Sequence, residues 1–330
     1  MDSQLVPMIG QILRIIRDIS GKSDRMSVGD LEEFINGEPT VMGRILVIAG
    51  SIGYNATGLE ITSLHQAISL VGFERVRTLA ISILLLESAH SEAATKINRE
   101  LAGTSLIGGL VASEMCRRGV SSEAELAFIC GALRNYGRML AATFLPKEYG
   151  GMSASSGKGR ASQDELFASI FGLTSLELGQ RIMTNLQLPK PILNTMVQLS
   201  PLDRRHCSGT ATSALSGAAD FGVRFAELLQ IAELDHYTFE HRAESLSREY
   251  DVDFHLTRDD VRDLLHYLLS VLEGFRYRAG AYVGTVAMFR RLERLAGGRV
   301  LTPALGAEIE PMGSSSRPTP PAPNVENYEI

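Results

Sequence analysis

Residues 129–140, ICGALRNYGRML, decide how the chain is read. On a helical wheel Ile129, Leu133, Tyr136 and Leu140 share one face, while Arg134, Asn135 and Arg138 lie broadly opposite. The spacing predicts a helix over about 122–144, starting at SSEAE and stopping before Pro146. Arg134 and Asn135 nevertheless stand side by side in an apolar context, framed by Gly131 and Gly137. The pair reads as a solvated stripe, as a site, or as what remains of a site that has lost its chemistry. The wheel favours the stripe.

The same helical period runs outward in both directions. Toward the N-terminus, Leu5, Ile9, Ile12, Leu13, Ile16 and Ile19 form one stripe. Ser27 and Asp30 open a short helix, Pro39 stands just ahead of another over about 41–49, and GSIGYNATG is a glycine-rich turn. Ser63 and Gln66 read as a capping box for a helix that stops at Gly72. FERVRTLAISILLLES reads as a longer buried helix, and a further long helix covers about 92–118. Beyond the opening stretch, GGMSASSGKGR at 150–160 reads as a loop. Helices resume over about 162–170, 175–186 (capped by Thr174 and Glu177) and 191–199, and the stretch 209–298 is helical again. No segment alternates strictly with β-branched enrichment, so the expected class is all-α. The Pro- and Ser-rich end, residues 306–330, has too little apolar content to fold and is expected to be a disordered tail.

Composition narrows the function classes. The 330 residues carry a formal charge of −6, which disfavours bulk attraction to nucleic acid or anionic membrane. The most apolar run, LAISILLL at 79–86, is too short to cross a bilayer, and the N-terminus lacks the pattern of a signal peptide. Cys116, Cys130 and Cys207 are dispersed and form no CxxC pair, as expected of reduced thiols. A cytoplasmic protein without membrane insertion is the expectation.

No local motif assembles a catalytic centre. Seven histidines are scattered, with no two at i,i+3 or i,i+4 and none in an HD dyad. GSIGYNATG lacks the GK[ST] ending of a phosphate loop. Arginines cluster at Arg75/Arg77, Arg117/Arg118, Arg204/Arg205 and Arg290/Arg291/Arg294, the last within VAMFRRLERLAG, read as an amphipathic helix with a basic face. Arg134, Arg138, Arg290, Arg291 and Arg294 are the candidate anion or partner contacts.

Two segments, read in order, carry a family resemblance. In LEEFINGEPTVMGRILVIAGSIGYN (31–55), Glu38–Pro39 stands where a "DP" step is expected, and Ala49–Gly50–Ser51–Ile52–Gly53–Tyr54 resembles an "aNSa.y" turn. In ITSLHQAISLVGFERVRTLAIS (61–82), Ile61, Ser63, Ala67, Ile68, Gly72 and Val76–Arg77 fall in place. These segments resemble the HDOD domain, a bacterial signalling module related to HD-type metal phosphohydrolases. The likeness continues through ICGALRNYGRML, FGLTSLELGQ and LQLPKPILNTMV, and covers residues 5 to about 202. It implies an HD-like multi-helix bundle over 1–205, a C-terminal helical subdomain over 206–305, and the tail.

The resemblance also explains what is missing. In an HD hydrolase the segment at 131–137 would read like GLLHDIG, its His and Asp binding metal; here those positions hold Arg134 and Asn135. Ser175 stands where a later ligand His is expected, and Leu199 and Ser200 where a His-His pair is expected. A guanidinium is always protonated and has no lone pair to donate, so Arg134 opposes a divalent cation. The expectation is a non-enzymatic regulator acting through protein–protein contact, with no metal and no cofactor. Its partners, by resemblance, belong to a signalling pathway, with a link to cyclic di-GMP. Two alternatives stay open: a nucleotide or nucleic-acid binder using the vacated cleft or the arginines, and a residual phosphohydrolase built on Asp203, His206 or Asp220.

Overall fold

The computed structural model describes residues 63–73, 76, 80, 96–155, 160–185, 188–279 and 287–297. The helices expected over 5–49, the glycine-rich turn, Arg75, Arg77 and the tail at 306–330 lie outside the described residues, as does segment 31–55. Among the described residues every regular element is a helix. None of these helices is long and apolar enough to cross a membrane.

Helix α1 (Leu64–Val71) begins where Ser63 accepts a hydrogen bond from the Gln66 N–H at 3.2 Å, and ends at Gly72 with φ of 91°. Helix α2 (Lys96–Met115) is buried almost throughout from Ala102 onward and forms the centre of the bundle. It closes in a π-helical turn, Cys116–Val120, in which Gly119 takes φ of 121°.

The helix expected over 122–144 is two helices. Helix α3 (Ala124–Leu133) and helix α4 (Tyr136–Phe144) are separated at Arg134–Asn135, where the Arg134 N–H reaches back three residues to Gly131. The framing glycines have a packing cause. A Cβ on Gly131 would sit 2.7 Å from the Gly108 carbonyl oxygen, and one on Gly137 would sit 1.9 Å from that of Ser175.

A second correction concerns 150–160, expected as a loop. Helix α5 (Pro146–Ser155) continues through its first half because Pro146 suits a first helical turn and Tyr149 and Met152 bury against Phe167. Helix α6 (Arg160–Phe171) follows, then helix α7 (Ser175–Asn185), whose start carries the expected Thr174–Glu177 capping box. The helix expected over 191–199 is only helix α8 (Lys190–Leu193), after which the chain passes through turns into a loop.

Helix α9 (Pro201–Arg205) is capped reciprocally by Ser200 and Asp203, and helix α10 (Ala211–Gln230) by Thr210 and Ser213. The remainder of the C-terminal stretch is helix α11 (His236–Ser247), helix α12 (Arg258–Ala279) and helix α13 (Ala287–Leu295). The main apolar core draws residues from Ala67 to Leu295, and Ala141, Ala142, Tyr149, Met152 and Phe167 form a second, smaller cluster. Helix α10 lies so close to α2 that a Cβ on Gly222 would be 2.2 Å from the Gly108 carbonyl oxygen. Phe221, Phe225, Phe239, Tyr250 and Phe254 stack edge-on or tilted between α10 and the elements that follow it.

Candidate functional site

Arg134 ends helix α3 inside the molecule, 2% exposed, and is not on a solvated stripe. Its Nη1 donates to the Thr195 carbonyl at 2.6 Å, and its Nη2 donates to the Val197 carbonyl at 2.7 Å and to Asp220 Oδ1 at 2.9 Å. The carbonyls belong to the loop after α8, and Asp220 to the middle of α10. One guanidinium thus fastens a loop and a long helix to the end of α3.

Asp220 is itself surrounded. Its Oδ2 accepts from Tyr250 Oη at 2.6 Å and from Arg204 Nε at 3.1 Å. Burial, reinforced by the Asp220 charge, holds the Tyr250 phenol well above its usual range, so it stays a donor. Arg224 donates to Tyr250 Oη at 3.3 Å and pairs with Glu249 at 2.7 Å, carrying the network to the surface. Buried charges persist only when paired and hydrogen-bonded in this way.

The other two members of the expected stripe are also internal. Asn135 is 2% exposed, and Arg138, at 8%, pairs with Asp164 at 2.8 Å and Glu227 at 3.1 Å. Burial alone would lower the Arg138 pKa, but the two carboxylates raise it overall. The wheel failed here because the acids that admit these cations come from α6 and α10.

The positions that the resemblance marks as former metal ligands divide. Arg134, Asn135, Ser175 and Leu199 are buried, while Ser200 is exposed as the cap of α9. Asp203 spends its carboxylate on that cap, and His206 Nδ1 lies 2.9 Å from the Leu202 carbonyl. Asp220 is taken by two guanidiniums and a phenol. Among the described residues no group of three or more His, Cys, Asp or Glu side chains is placed to hold a metal ion.

The basic face expected on VAMFRRLERLAG is divided too. Arg290 and Arg294 are exposed, but Arg291 is 4% exposed and donates to the carbonyls of Ala232 and, at 2.6 Å, Leu234. Helix α13 is thereby pinned to the α10–α11 connection. Burial, and then the neighbouring Arg294 charge, push the Arg291 guanidinium below its ordinary pKa. Arg118 pairs with Asp260 at 2.8 Å, and Arg117 donates to Tyr267 Oη at 2.9 Å, so that cluster is structural.

Sequence reasoning missed a cleft of about 1400 Å³ bounded by α2, α4, α10, α11 and α13. Asn135 and Arg138 line one side and Arg291 and Arg294 another. Its walls come from segments far apart in the chain, so no local pattern announces it.

No curated protein matches the chain. An HDOD domain protein of unknown function from Geobacter sulfurreducens is similar at 16% identity with a TM-score of 0.56, over 82% of this chain and 90% of that one. A candidate phosphohydrolase from Shewanella amazonensis SB2B is similar at 17% identity with a TM-score of 0.50, over 89% of this chain and 94% of that one. At such identities the likeness is one of fold. The HDOD domain family model matches residues 6–200, well over half of the sequence, and the chain belongs to the HDOD domain family.

Proposed function

We propose that this chain is a non-enzymatic signal-transduction or regulatory protein that works by contact with a protein partner. One observation carries the reading: the Arg134 guanidinium sits buried among the Thr195 and Val197 carbonyls and the Asp220 carboxylate. Metal-assisted hydrolysis needs lone pairs converging on an open coordination position. A permanent cation at that point supplies none, and it engages the Asp220 carboxylate. Membership of the HDOD family supports the signalling half of the reading. The phosphohydrolase description belongs to the Shewanella protein.

The geometry gives no support to an anion bound at Arg134, because three internal acceptors already engage its terminal nitrogens. The test has two arms. Purified protein supplied with manganese is assayed for hydrolysis of a model phosphodiester, with elemental analysis of the same sample. The expected result is no turnover above buffer and no stoichiometric metal. Turnover that tracks a bound divalent ion would overturn the non-enzymatic reading. In the second arm, in-cell crosslinking with mass spectrometry is expected to join this chain reproducibly to one specific protein, and its absence from repeated experiments counts against partner contact.

A further inference from the structure

The lining of the cleft between α2, α10, α11 and α13 carries six cationic side chains against four acidic ones, an excess of positive charge. Of the four acids, Glu227 is engaged by Arg138, Glu249 by Arg224, Glu100 accepts from the Ala287 N–H at 3.3 Å, and the Glu233 charge favours the Arg291 guanidinium. Lys96, Arg242 and Arg294 line the same cleft, are exposed, and have no ion-pair partner among the described residues. Arg291 adds a buried guanidinium whose acceptors are two main-chain carbonyls, with no carboxylate bonded to it. Cations grouped on one cleft repel one another.

Three unpaired cations around one space lack a single kind of chemistry, oxygen acceptors bearing negative charge.

Size narrows the class. Small-molecule pockets commonly measure about 300–1000 Å³, so a lone inorganic anion would leave a cleft of about 1400 Å³ mostly empty. Leu101, Leu228 and Leu246, partly buried in the lining, offer an apolar surface for an organic moiety. We infer that this cleft is a binding site for a nucleotide-sized organic phosphate, its phosphates held by Lys96, Arg242 and Arg294. The inference stands apart from the proposed function, because the site lies on different residues from the Arg134–Asp220 pair.

The test is calorimetric titration of the full chain with ATP, inorganic pyrophosphate and a polyglutamate peptide, each at low and high salt. ATP is expected to bind more tightly than pyrophosphate, and its affinity should fall steeply as salt rises. The exposed double variant Arg242→Glu/Arg294→Glu should weaken ATP at least about tenfold for each charge-assisted hydrogen bond lost. Arg290→Glu, on the same helix but outside the lining, should change it little, with circular dichroism checking that all variants stay folded. The inference is overturned by absence of ATP binding up to about 1 mM, by equal affinity for pyrophosphate, or by binding of polyglutamate alone. It is equally overturned if Arg290→Glu matches the double variant, since the effect would then be diffuse charge.

Discussion

Replacing Asp220 by Ala isolates the central ion pair. The substitution takes from the Arg134 guanidinium, whose side chain is 1% exposed, the carboxylate it pairs with at 2.9 Å, while the two carbonyl acceptors stay. It also removes the acceptor of Tyr250 Oη and of Arg204 Nε. Breaking a buried pair by deleting one partner costs about 3–5 kcal/mol, because the survivor keeps its desolvation penalty. For a folded unit of this size that corresponds to roughly 6–20 °C in Tm. Replacing both partners with apolar residues of similar volume, Arg134→Met with Asp220→Leu, removes the buried charge. Most of the loss should then return, although the Thr195 and Val197 carbonyls lose a donor. Urea denaturation followed by circular dichroism reads both variants. A loss below about 1 kcal/mol for Asp220→Ala, or a double variant no more stable than the single one, refutes the buried-pair reasoning.

Other expectations test neighbouring parts of the structure. Gly222→Ala places a Cβ 2.2 Å from the Gly108 carbonyl oxygen, so the α2–α10 contact must open; a loss of about 1–3 kcal/mol is expected by the same denaturation assay. Thr210→Ala removes the cap of α10, in which Thr210 Oγ1 accepts from the Ser213 N–H at 3.1 Å, and should cost about 1 kcal/mol. Burial pushes the Cys207 thiol up to about 11 and the Cys116 and Cys130 thiols up to about 12, from a usual 9.0. All three should therefore resist alkylation at pH 8 until denaturant is added, and a rapidly labelled thiol in the native protein would contradict this. The sign of the linked stability follows: the unfolded thiols ionise first, so stability is lost as pH rises above about 9. A stability profile that rises over that window would contradict the burial of these groups.

How much of this was legible in the sequence differs element by element. The helical period and the caps at Ser63 and Thr174 are local, set by the chain within a turn or two of itself, and they placed helix starts that the structure keeps. The resemblance in the opening stretches pointed to the HDOD family, and the substitution of Arg134 and Asn135 into the 131–137 segment was visible by inspection. Boundaries fared worse where the cause was distant. The break between α3 and α4 accompanies close packing of Gly131 on α2 and of Gly137 on α7, and α5 extends into an apparent loop because Phe167 covers it.

Side-chain fate was the least local property. A helical wheel compares residues within one helix, so it set Arg134 and Arg138 opposite the apolar face and could not see their acids. Those acids lie 86 residues away for Arg134 and 26 and 89 residues away for Arg138. The sequence by itself determined where the chain turns helical and that the Arg134 position cannot supply a metal ligand, because both follow from local stereochemistry and from the chemistry of a guanidinium. Only the tertiary structure decided which cations are buried and where a cleft opens, because burying a charge requires a counter-charge, and here folding brings it from far along the chain.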